Sequence, residues 1–111
     1  MAEPFTHAIW KVKPGQADEF VTAWGKFAAW ANKQSPGVLW GVLLRDVEDS
    51  NLFVSTGAWA RAEDIAAFAD NPGVRSRLES ILQLVDDFQP RTMELAAVRD
   101  PEEWAEPPFG R

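Results

Sequence analysis

With 111 residues, eleven basic against seventeen acidic side chains and no cysteine, the chain is sized for one domain, carries a formal charge of -6, and has no disulfide or thiolate chemistry. That acidic balance, with its basic residues scattered, argues against nucleic acid as a partner, because such affinity rests on phosphates neutralised by grouped Lys and Arg. The hydrophobic fraction of 46% and charged fraction of 25% fit a globular chain; no apolar run nears the roughly 20 residues that span a bilayer, and the start MAEPFTHAIW resembles no targeting peptide, so a cytoplasmic address is expected.

Six tryptophans against no tyrosine point to large apolar surfaces in a core, a pocket or an interface. In chain order, Phe5 to Lys13 alternates, with Thr6, Ala8, Trp10 and Val12 on one side and Phe5, His7, Ile9 and Lys11 on the other, which predicts a first strand. Lys13-Pro14-Gly15 breaks it. A helix follows in which Asp18 and Glu19 oppose the positive end of the dipole, and Phe20, Trp24, Phe27, Ala28 and Ala31 recur at helical spacing as a core stripe. Gly25 weakens this helix by roughly 1 kcal/mol in propensity, which suggests a close neighbour there. Pro36 ends the helix by Ser35.

Strand two, Val38 to Asp46, is apolar on both alternating faces, so both need cover. Val47 to Ser50 makes a hairpin loop into strand three, Asn51 to Trp59. Helix two starts near Ala62 and buries Ile65, Phe68 and Ala69. Asn71-Pro72-Gly73 interrupts it, and a second helical piece aligns Val74, Leu78, Ile81, Leu82 and Val85, ending at Asp86 and Asp87. Strand four is predicted after Pro90, over Arg91 to Arg99. Residues 1–99 then form one domain. Residues 100–111, rich in proline and glutamate, form an extended acidic arm that Trp104 and Phe109 could anchor.

This β-α-β-β-α-β order is the ferredoxin-like α+β arrangement, a four-stranded antiparallel sheet with both helices on one face. The other face is left bare, and its apolar strand two calls for a second copy, a homodimer packed sheet to sheet with Trp30 and Trp40 as candidate contacts. Strand one lies between strands three and four, antiparallel to strand three. His7 is thereby brought near Trp59 with the register left open.

On the Lys13-Pro14-Gly15 step, the Ser35-Pro36-Gly37-Val38 step, Phe53 to Trp59 followed by Ala62-Glu63-Asp64, and the Asn71-Pro72-Gly73-Val74 break, the chain resembles the antibiotic biosynthesis monooxygenase family of dimeric α/β barrels. The resemblance covers roughly residues 5–99. It implies cofactor-independent oxygenation of an aromatic, polyketide-like small molecule in a pocket between sheet and helices, with Trp59 as the strand-three tryptophan. Ser55 stands where the polyketide oxygenases carry an asparagine, and Ile65 where they carry a tyrosine. The haem-degrading branch uses a histidine on helix two, where this chain reads Arg75-Ser76-Arg77-Leu78, so no haem and no other cofactor is expected.

The catalytic candidates are His7, Trp59 and Ser55. Histidine is the side chain whose ordinary pKa lies near neutrality, and His7, the only one, would take a phenolic proton. Trp59 would hold the ring, or else plug the core. Ser55 would donate a hydrogen bond to an oxygenated intermediate. Metal ligation is not expected, since no carboxylate stands at ligand spacing from the lone histidine. A non-catalytic ligand-binding or stress-responsive dimer, and a cyclase or isomerase using the same acid-base group, are the alternatives.

Overall fold

The structure, a computed structural model, describes residues 3–35 and 37–99. It contains β1 (Pro4–Val12), α1 (Ala17–Gln34), β2 (Val38–Arg45), β3 (Leu52–Trp59), α2 (Ala62–Asp70), α3 (Pro72–Leu82) and β4 (Val85–Glu94). The strands form one sheet in the order β2-β3-β1-β4, each neighbouring pair antiparallel. This is the expected ferredoxin-like topology, with the second helix divided in two.

Each break has a local cause. Lys13 to Gln16 closes a turn in which the Gln16 N–H donates to the Lys13 carbonyl at 3.0 Å. Pro14 supplies the fixed φ of its second position, and Gly15 takes φ 82° at the third, a type II turn that favours glycine there. Between α2 and α3 the Asn71 side chain accepts from the N–H groups of Gly73 at 2.8 Å and Val74 at 3.2 Å, while Pro72 occupies the first turn. Asn71 therefore caps a new helix while ending the old one.

Phe20 and Phe53 are fully buried and lie 5.0 Å apart between ring centroids, and Trp10 sits 5.2 Å from Phe20 and 4.3 Å from Phe88. Ala8, Val12, Ile81 and Val85 complete the cluster, with Trp24 and Phe27 of the α1 stripe packed against it. The stripe is core, as its spacing suggested. Gly25 is different from expectation: nothing lies within 4 Å of where its Cβ would stand, so no close neighbour requires a glycine. Gly25→Ala is expected to raise the unfolding free energy by about 0.5–1 kcal/mol, read as a rise in the denaturant midpoint.

Strand four differs most from the sequence expectation. It runs over Val85–Glu94, starting six residues and ending five residues earlier than predicted, and pairs with β1 from Val12↔Val85 to Pro4↔Glu94. Val85 is a strand residue, and Asp86, Asp87 and Pro90 lie inside the strand. Proline is tolerated because β4 is an edge, where a missing N–H need not break a second ladder. After β4 the Leu95 N–H still donates to the Glu3 carbonyl at 2.8 Å. The expectation for an arm over residues 100–111 lies outside the described residues. Among the described residues no helix is long and apolar enough to cross a membrane.

Candidate functional site

Residues directly opposite one another in an antiparallel ladder share a sheet face, and the face alternates along each strand. Thr6, Ala8 and Trp10 pair with Gly57, Ser55 and Phe53, so this set, with Trp59, faces the helices. His7 pairs with Thr56 on one side and Arg91 on the other. It therefore lies on the outer face with Phe5, Ile9, Val54, Trp40, Val42, Leu44 and Met93. His7 and Trp59 are near in sequence register but on opposite sides of the sheet. The three candidates do not line one pocket.

On the helix side the indoles are satisfied by hydroxyls. Trp10 Nε1–H donates to Ser55 Oγ at 3.0 Å, and Trp59 Nε1–H donates to Thr6 Oγ1 at 3.1 Å. A further bond runs from the Thr56 hydroxyl to the Thr6 carbonyl at 3.1 Å. Trp59 is only 5% exposed and meets the Phe68 ring edge-on at 5.2 Å. It occupies the space between sheet and helices. Ser55 likewise holds a neighbouring tryptophan in place, which lets two large polar-tipped rings be buried without an orphaned N–H. Thr6 was legible in the sequence only as one member of an alternating strand; its spacing from Trp59 carries no signal of their contact.

The outer face holds the unsatisfied group. His7 Nδ1 is shielded from solvent and has no hydrogen-bond partner among the described residues. Such a buried polar atom is uncommon in folded proteins and invites a ligand, a water or a second chain. Around it the surface is apolar and aromatic: Phe5 meets Trp40 in an edge-to-face contact at 6.0 Å, while Leu44 and Met93 stand about half exposed. Arg91, exposed and directly across from His7, brings a cation to the same patch. Arg91 opens the strand expected from the sequence, whereas the observed β4 places it mid-strand beside the histidine. Trp30, a candidate interface residue, lies in the helix layer, with the Arg77 guanidinium 4.0 Å above its ring.

None of the three candidates lines either of two open cavities formed by the described residues. One, of about 650 Å³, lies at the sheet end between Pro4, Ala60 to Glu63 and Thr92 to Glu94. Its Arg61 is held above the ordinary guanidinium range, chiefly by its hydrogen bond to Asp64 and then by the charges of Asp64 and Glu63, and so stays charged. The other, of about 250 Å³, runs between α1 and α3. No group of three or more metal-ligating side chains converges among the described residues.

Comparison with known proteins follows the same lines. No protein of curated function matches the chain. Solved structures share its fold: SnoaB of Streptomyces nogalater, named as a cofactor-independent oxygenase and solved as a single-substitution variant, superposes with TM-score 0.75 at 19% identity, over 88% of this chain and 94% of its own. A candidate antibiotic biosynthesis monooxygenase from Deinococcus radiodurans gives 0.76 at 17% identity, over 87% and 96%. A conserved protein from Methanosarcina mazei gives 0.73 at 12%, over 84% and 92%. The sequence profile of the antibiotic biosynthesis monooxygenase family matches residues 5–77, a span from the start of β1 into α3. With most of the chain inside that match and the topology in agreement, the chain belongs to the antibiotic biosynthesis monooxygenase family.

Proposed function

We propose that the protein is a cofactor-independent monooxygenase for a small aromatic, polyketide-like molecule, with His7 on the outer sheet face as the base. The observation that carries this reading is the shielded, unpartnered Nδ1 of His7 within an apolar, aromatic patch. Family membership supports the reaction class. In this scheme His7 accepts a phenolic proton, and the electron-rich ring carbon of the phenolate reduces dioxygen. One oxygen atom becomes the product carbonyl; the other leaves as water with the two hydrogens lost from that carbon. Arg91 places positive charge beside the phenolate as it forms. Ser55 and Trp59, on the helix side, shape the sheet beneath the site rather than touch the ring. A second copy laid sheet to sheet closes the patch and excludes water, so that the working unit is a homodimer.

Oxygen uptake with an anthrone as substrate tests the proposal, alongside the mass in solution. His7→Gln is expected to slow uptake by about 10²–10⁴-fold, with the dimer mass retained. No uptake by the pure protein retires the oxygenase, and equal uptake by the variant removes His7 from the chemistry. One observation favours a second reading, a ligand-binding dimer without turnover: Trp59 fills the space between sheet and helices. Saturable binding of the anthrone with no oxygen consumed is its signature.

A further inference from the structure

We infer that the groove between α1 and α3 is a binding site for an aromatic carboxylate of one or two fused rings, separate from the outer sheet face. Two facing stripes build it, each with helical spacing of three and four residues: Ala23, Lys26 and Phe27 from α1, and Arg77, Ser80 and Ile81 from α3. Phe27, Ile81 and Ala23 give the apolar floor, for all three belong to or pack on the core. Lys26 and Arg77 supply the polar rim, and no acidic side chain lines the groove.

The charge is what distinguishes this place. The chain as a whole is acidic, with a formal charge of -6. Arg45, Arg61 and Arg75 are each spent on a carboxylate, at 4.0, 3.3 and 3.4 Å. Lys26 and Arg77 have no carboxylate partner among the described residues, yet flank one apolar groove. Arg77 is also fixed in place: its guanidinium lies 4.0 Å over the Trp30 ring, and Trp30 stacks at 6.3 Å on Phe27. A guanidinium ordered by an aromatic face loses less freedom when it takes a second partner. The Ser80 hydroxyl makes only a long 3.5 Å bond to the Ser76 carbonyl and can turn to donate to an anion.

Size selects the ligand. The volume of about 250 Å³ falls below the roughly 300–1,000 Å³ of pockets for drug-sized molecules, which suits one ring or a fused pair. A flat apolar body covers Phe27 and Ile81, and a carboxylate reaches the two cations, an arrangement that a neutral ring of the same shape cannot match.

Titration with 1-naphthoate, followed by backbone amide NMR, tests this. Shifts should concentrate on residues 23–27 and 77–81 and saturate in the millimolar range or tighter. Lys26→Gln changes an exposed helix position and is expected to fold normally while weakening binding by about 10-fold; Arg77→Gln should do the same, and 1-naphthalenemethanol, the neutral counterpart, should bind at least about 10-fold more weakly. Added salt should weaken the carboxylate and leave the alcohol unchanged. Shifts centred on the outer sheet face, absence of saturation, or equal affinity in Lys26→Gln and Arg77→Gln would each overturn the assignment. None of these readouts depends on oxygen uptake, so this site and the His7 proposal fail separately.

Discussion

Phe20→Ala is expected to lower the unfolding free energy by about 3–5 kcal/mol, the range for emptying a fully buried aromatic position. Phe20 has no exposed surface and stands between Trp10 at 5.2 Å and Phe53 at 5.0 Å, joining α1 to the two central strands. Neither ring can follow a receding methyl, because each is held by its own strand, and Trp10 also by its bond to Ser55. The lost transfer free energy therefore adds to the energy of a persistent cavity. Against a typical total of about 5–15 kcal/mol, the loss is roughly a fifth or more. Guanidinium unfolding monitored by circular dichroism measures it, as a lower midpoint with little change in slope. A drop below about 1 kcal/mol would mean that α1 can settle onto the sheet without this ring.

Trp59→Ala ranks next, also at about 3–5 kcal/mol, and carries a functional readout. The indole fills the space between β3, β1 and α2, edge-on to Phe68 at 5.2 Å and bonded to Thr6 Oγ1 at 3.1 Å. Removing it leaves an apolar hollow with one hydroxyl lacking its donor, a shape complementary to free indole. Indole added to the variant should therefore raise its Tm, by mass action on the folded state, while leaving the wild-type Tm unchanged. A variant that gains nothing from indole has collapsed onto the hollow. Equal gains in both proteins would mean that the wild-type space is open and that Trp59 walls it rather than fills it.

The sequence made the fold legible where each element carried a strong periodic signal, and it failed where an edge diluted that signal. The α1 stripe, the Asn71-Pro72-Gly73 break and the strand run ending at Trp59 all stand where their spacing placed them. β4 does not. As an edge strand with most of its residues exposed, it tolerates Asp86, Asp87, Gln89 and Pro90. Those polar and helix-breaking residues read as a boundary, while Met93, Leu95 and Ala97 beyond them alternate as a strand would and extend that pattern past the true end. Nine partners along β1 outweigh that local preference.

The candidate site was half legible for a similar reason. Topology alone brings the start of β1 beside the end of β3, so His7 and Trp59 were placed in the right corner. Whether they share a face depends on a one-residue register that no local pattern encodes: opposite His7 stands Thr56, so Ser55 and Trp59 fall on the other side. The hydroxyl partners of the two indoles were invisible, because residues 45 and 53 positions apart make those bonds.

The proline in β4 has a consequence for how the molecule behaves in a crowd. A sheet with two edges can in principle grow from either, by recruiting the backbone of another chain. At β4, Pro90 interrupts the row of donors such growth needs, so that edge is blunted. At β2, Val38 to Arg45 contains no proline, and Leu39 and Leu44 are about half exposed. Any misassembly through strand addition is thereby channelled to β2, where a single proline or lysine would be the place to protect the fold.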